Sequence, residues 1–181
     1  MRLLLICLCL LQAACVSVDG TTNWYQGECQ KSAEDCALER AAERMLAACT
    51  VTANSYPYAR DRAMLDEYAQ LFTEDAHFQI EGQPALQGRP ALVAGLQARA
   101  AANELRHMSQ VVDMQATGEG TARGVSYVTI WRVGAEAWSN GDRTVHGPWI
   151  VAEYHDEFRM QGKRCLISDR LVKIVFAGPD F

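Results

Sequence analysis

Between Ala59 and Ala101 the hydrophobic pattern changes period twice, and few arrangements of backbone accept such a run. Met64, Leu65, Tyr68, Leu71 and Phe72 recur at helical spacing, which predicts an amphipathic helix opening at Asp61 and ended by Thr73-Glu74-Asp75. Phe78 and Ile80 then alternate with His77, Gln79 and Glu81, the period of a half-buried strand. Gly82 to Gly88 reads as a turn. Pro90 suits a first helical position, with Leu92, Val93 and Leu96 as the apolar stripe of a further helix.

Upstream, Ser32-Ala33-Glu34-Asp35 has the form of a helix start, and Leu38, Ala42, Met45, Leu46 and Cys49 follow at helical spacing. This first helix is expected to weaken at Thr50-Val51-Thr52 and to stop or kink between Asn54 and Pro57. Downstream, residues 105–116 and 122–133 alternate around Gly118-Glu119-Gly120, a hairpin pattern. Residues 134–143 form a longer connection. Two more strands, 149–160 and 163–176, meet at Gln161-Gly162. The inner row of the first is either Ile150, Ala152, Tyr154 and Phe158 or the set Trp149, Val151, Glu153 and His155. No internal repeat is present.

Asp61, the run Leu71-Phe72-Thr73-Glu74-Asp75-Ala76, then Gly88-Arg89-Pro90-Ala91-Leu92, then His107 together resemble the SnoaL-like branch of the nuclear transport factor 2 superfamily. That superfamily includes polyketide cyclases, scytalone dehydratase and ketosteroid isomerase. The resemblance implies an α+β fold, a cone-shaped barrel with N-terminal helices packed on a curved, mostly antiparallel sheet around a cavity. It also implies a homodimer formed through the open sheet face. Within such a superfamily the fold does not fix the function.

A chain of 181 residues fits one domain with a sizeable core. The net charge of −5 carries no cluster of Lys or Arg, so nothing favours a nucleic-acid groove, and a small molecule is the expected partner. Arg2 followed by an apolar run through Ala14 reads as a secretion signal, too short to span a membrane. The expected layout is a signal peptide over 1–17, a linker or extension over 18–31, and the domain over 32–181. Cleavage after Ser17 competes with a lipoprotein-type cut that leaves Cys15 lipidated and the chain attached to a membrane. Either route delivers it to the periplasm, the cell envelope or the medium. Cys29, Cys36, Cys49 and Cys165 then remain; an oxidising compartment predicts disulfides, and four cysteines allow three pairings. One scheme joins Cys29 to Cys36 and Cys49 to Cys165. The spacings lack any CxxC, which argues against zinc, and no metal or other cofactor is expected.

His107 is the first candidate for chemistry, because an imidazole titrates near neutrality and can take or give a proton. By order along the chain it matches a catalytic histidine of scytalone dehydratase, and Asp61 matches the aspartate that orients a water or the histidine. The competing readings are a histidine hydrogen-bonded for structure and an aspartate that caps a helix. Tyr56 and Tyr58 could present phenols to a ligand carbonyl, or pack. Glu153 matches a polar pocket position of the dehydratase. Trp131 and Trp149 could line an apolar cavity, although packing is the commoner role of tryptophan. Two departures matter: Ile80 stands where the isomerase has its proton-shuttling aspartate, and Arg132 where the dehydratase has a second histidine. No GxSxG, HExxH or phosphate-binding glycine loop occurs. The expectation is an exported binder of a small apolar molecule, acting either as a cofactor-free isomerase, dehydratase or cyclase through His107 and Asp61, or as a non-catalytic binding or assembly protein of the cell envelope.

Overall fold

The computed structural model describes residues 32–100 and 103–178. The expected signal peptide, the expected linker and Cys29 lie outside these residues. The first helix, α1 (Ala33–Asp61), is followed by the short α2 (Leu65–Ala69), strand β1 (Phe72–Ile80), strand β2 (Leu86–Gln87) and α3 (Arg89–Ala100). Then come β3 (Asn103–Gly118), β4 (Thr121–Gly134), α4 (Ala135–Ser139), β5 (Ile150–Gln161) and β6 (Arg164–Ala177). The strands form one six-stranded sheet in the order β2-β1-β6-β5-β4-β3. Its pairs are antiparallel except β1 with β6. Bulges in the β3–β4 and β5–β6 ladders add local twist.

The expected break near Pro57 does not occur, since α1 continues through Pro57 to Asp61. Proline inside a helix costs about 3 kcal/mol. Against that cost, Met45, Cys49, Ala53, Tyr56 and Ala59 follow at spacings of four and three residues and are all buried. Each large side chain on that stripe returns about 1.5–3 kcal/mol when buried. Thr50, read as helix-weakening, and Ser55, within the expected stop, turn their hydroxyls back to the carbonyls of Leu46 and Val51 at 2.9 and 2.8 Å, so both are satisfied inside the helix at only a slight cost. Asp61 therefore closes α1 and opens nothing. The residue before α2 is Met64, with no side-chain cap.

The second boundary also moves. Tyr68, Leu71 and Phe72 keep helical spacing, yet α2 ends at Ala69 and Phe72 starts β1, paired with Ile167. Burial in the sheet outweighs the periodic signal. Gly88 adopts a left-handed φ of 79°, donates its N–H to Ala76 at 2.7 Å, and lets its carbonyl receive Ala91 and Leu92 at the start of α3. A side chain at that φ would be strained, which fixes glycine there. Along β5 the inner row is Ile150, Ala152, Tyr154 and Phe158.

Cys49 and Cys165 form a disulfide between α1 and β6 that closes a separation of 116 residues. Beside it, the Thr52 hydroxyl donates to the Cys165 carbonyl at 2.6 Å. Cys36 is also disulfide-bonded, and the Cys29 half of the expected scheme lies outside the described residues. Because the bridge constrains a long loop of the unfolded chain, the double variant Cys49→Ala/Cys165→Ala should lose about 2–4 kcal/mol of unfolding free energy. Urea titration measures this directly, and coincident midpoints for variant and parent would refute it.

Candidate active site

β3 is an edge strand of the sheet, so alternate backbone N–H groups along it have no strand to bond. At His107 the partner comes from a helix: Asp61, the last residue of α1, accepts the His107 backbone N–H on Oδ2 at 2.7 Å. Its other oxygen, Oδ1, lies 2.5 Å from His107 Nδ1. One carboxylate thus holds both the backbone and the ring of one residue, leaving the imidazole little freedom about its side-chain torsions. Both side chains are nearly covered, at 4% exposure for His107 and 7% for Asp61.

The chemistry of this pair follows from its donors and acceptors. A carboxylate accepts, so the shared proton sits on Nδ1, and Nε2 is the bare nitrogen. No hydrogen-bond partner among the described residues takes Nε2. Burial lowers the proton affinity of His107 below the ordinary imidazole value and outweighs the opposite pull of the hydrogen bond from Asp61. His107 is consequently neutral near pH 7 and able to accept a proton, while Asp61 stabilises the imidazolium that results.

His107 opens on a cavity of about 230 Å³ whose walls come from α1, α3 and five strands. Apolar side chains dominate, among them Phe78, Ile80, Leu105, Ile130, Ile150 and Val172. Tyr56 lines it, edge-on to the His107 ring at 6.3 Å. Tyr154 joins the same wall, 5.6 Å from Tyr56 between ring centroids. Behind them the buried Arg170 guanidinium stacks on both rings, at 4.0 and 4.3 Å. It meets Asp156 through two hydrogen bonds of 2.6 Å. Trp149 lines the cavity too, with the Arg132 guanidinium over its indole at 4.3 Å.

Of the residues singled out by sequence, the structure brings together His107, Asp61, Tyr56 and Trp149, and leaves out three. Tyr58 is 59% exposed and packs under the Arg62 guanidinium; two positions along a continuous helix place it well round from Tyr56. Trp131 follows Ile130 on β4 and so points to the opposite face, where it lines an apolar groove with Trp138 and Val145. Glu153 precedes Tyr154 on β5, faces outward for the same reason, and lies 2.8 Å from His155 Nε2. Sequence reasoning missed Arg60, Arg99 and Tyr154 as cavity residues. The neighbour of Asp61 and the alternation of β5 were the available signals for two of them. Among the described residues no three His, Cys, Asp or Glu side chains gather into a metal-binding cluster.

A family model described as a SnoaL-like domain matches residues 44–170, a span that includes both Asp61 and His107. The chain belongs to the SnoaL-like domain family. A ketosteroid isomerase-like protein from Erwinia carotovora atroseptica SCRI1043 superposes with a TM-score of 0.61 at 15% identity, covering 72% of this chain and 96% of that one. The hexachlorocyclohexane dehydrochlorinase LinA-type3 from Novosphingobium barchaimii LL02 gives 0.60 at 16%, over 82% and 94%. ActVI-ORFA from Streptomyces coelicolor gives 0.56 at 21%, over 69% and 92%. At these identities the likeness is one of fold, the helix-covered α+β cone of the SnoaL-like proteins. No curated protein matches the chain by sequence. Within this SnoaL-like domain Ile80 is part of the cavity wall.

Proposed function

We propose that this SnoaL-like domain is a cofactor-free proton-transfer enzyme for a small, mostly apolar organic molecule, with His107 as general base and Asp61 as its orienter. The single observation that supports this most is the 2.5 Å contact between Asp61 Oδ1 and His107 Nδ1 at the wall of an apolar cavity. The reaction class is abstraction of a proton next to an activating group, followed by its return elsewhere (isomerisation), by departure of a leaving group (dehydration or another elimination) or by ring closure. A binding protein would need the cavity but would have no use for a neutral, carboxylate-oriented imidazole with one nitrogen bare. The test is solvent deuterium exchange: a panel of small apolar compounds with acidic C–H bonds is incubated in heavy water and read by mass spectrometry. Wild type catalyses wash-in for at least one of them and His107→Ala does not; equal exchange by both proteins rejects the reading.

The chain is further proposed to act outside the cytoplasm. Support comes from the apolar run after Arg2 and from the Cys49–Cys165 bridge, a bond that persists in oxidising compartments. Among the described residues no helix is long and apolar enough to cross a membrane. Mass spectrometry of the mature protein should find the N-terminal run removed, with a diacylglycerol on Cys15 if the lipoprotein route is used. An intact Met1 would rule export by this signal out.

A further inference from the structure

The cavity carries two guanidinium groups that the proton-transfer pair does not require. Arg60 lies in the last turn of α1 beside Asp61, and Arg99 lies in the last turn of α3; both line the cavity. Arg60 is 8% exposed, and among the described residues it pairs only with Asp61, at 3.8 Å from Oδ1. That distance is long for a charge-assisted hydrogen bond, and the same oxygen is already engaged by His107 Nδ1. Arg99 makes no side-chain hydrogen bond or ion pair among the described residues. Among the described residues no Asp or Glu lines the cavity with them. Arg170, by contrast, is matched by Asp156. Two arginines against the one Asp61 carboxylate leave a surplus of one positive charge at the cavity wall. A helix C-terminus tolerates a cation, which accounts for each guanidinium being there but leaves the surplus charge without a counter-ion among the described residues. Arg60 is thus buried with only a long contact to Asp61, Arg99 is partly exposed without a counter-ion among the described residues, and guanidinium is the group best shaped to take a carboxylate.

We infer that the substrate is a monoanion, a mostly apolar organic acid whose skeleton lies along Phe78, Ile80, Ile130 and Val172 while its carboxylate is held by Arg60 and Arg99. This rests on the proton-transfer reading for its word substrate, and it deepens that reading by fixing the ligand's charge. With the acid group anchored at the arginines, the rest of the molecule extends along the apolar wall on which His107 opens.

The test separates charge from shape and does not depend on turnover. Calorimetric titration of the full, disulfide-intact protein compares 2-naphthoate with 2-naphthamide, which share an apolar frame and differ in charge. The wild type should bind the carboxylate at least about 10-fold more tightly. Arg99→Gln, at a partly exposed site, should erase most of that preference while leaving naphthamide binding within about 2-fold, and Arg99→Lys should restore part of it. Arg60→Lys, which keeps the charge in a buried place, should retain the preference, and circular dichroism checks its fold. Equal affinity for the two probes, no binding of either, or parallel weakening of both in Arg99→Gln would overturn the inference. His107→Ala should keep the preference for naphthoate. The charge inference and the proton-transfer reading can therefore fail separately, the first in binding and the second in deuterium exchange.

Discussion

Replacing His107 by alanine should lower catalysed proton exchange by about 10²–10⁴-fold, the usual contribution of a positioned general base. That corresponds to about 3–5 kcal/mol of transition-state stabilisation. Asp61→Asn is the more discriminating change. It keeps the size of the side chain and can still accept the backbone N–H that Asp61 Oδ2 now accepts at 2.7 Å. Its amide N–H, however, faces Nδ1 and favours the tautomer with the proton on Nε2, which disarms the base. Activity should fall by a similar order while the melting temperature changes little. A fully active Asp61→Asn would remove the aspartate from the mechanism. The pH dependence follows from burial, which lowers the proton affinity of His107. Exchange should rise as pH climbs through that lowered value, placing the acid limb of kcat/KM below about 6.5. Stability has the same sign. The unfolded chain binds a proton that the folded histidine resists, so the contribution is complete above about 6.5 and is lost as pH falls through the folded value.

Breaking the buried Arg170–Asp156 pair should carry the largest cost in stability. Burial disfavours the Arg170 charge, but Asp156 outweighs it and holds the guanidinium more firmly protonated than usual. Asp156→Asn leaves that charge in place without its counter-ion, at a cost of about 3–5 kcal/mol. Arg170 Nη1 already lacks a protein acceptor among the described residues, so there is no second partner to take over. Stacking on Tyr56 and Tyr154 remains, at 4.0 and 4.3 Å, and recovers part of the loss. Replacing both members, Arg170→Met with Asp156→Leu, should be far milder than Asp156→Asn alone, because no lone charge stays behind. Denaturant titration of the single and double variants measures both. A cost below about 1 kcal/mol for Asp156→Asn would mean that the pair behaves like an exposed one.

Much of the fold could be read from residue alternation, and the errors share one origin. The hairpin between β3 and β4 and the strands β5 and β6 fall within a residue or two of their expected ends, because each has one buried row and period two is hard to mistake. The break expected at Pro57 was the costly error. With α1 cut there, Tyr56, Tyr58 and Asp61 belonged to no common helix, and Tyr58 entered the candidate site beside Tyr56. The intact helix instead places Tyr56, Ala59 and Arg60 on its buried side and leaves Tyr58 outside. On the strands, Trp131 and Glu153 were each one position out of phase with the cavity wall formed by Ile130 and Tyr154. Parity was left open in the sequence because both rows of β5 contain large side chains. His107 and Asp61 were suggested by family resemblance, but that one carboxylate grips both ring and backbone is a fact of three-dimensional geometry.

The position of that carboxylate also bears on what can pair with the sheet margin. β3 is a 16-residue margin of the sheet, and a long margin offers a template on which a stray extended segment can dock and seed aggregates. At His107 the outward donor is already engaged by Asp61. An incoming strand would have to expel a negative charge and detach the end of α1 before it could continue its ladder past this point. The aspartate proposed to orient a base thereby also works as a guard against unwanted β-sheet growth.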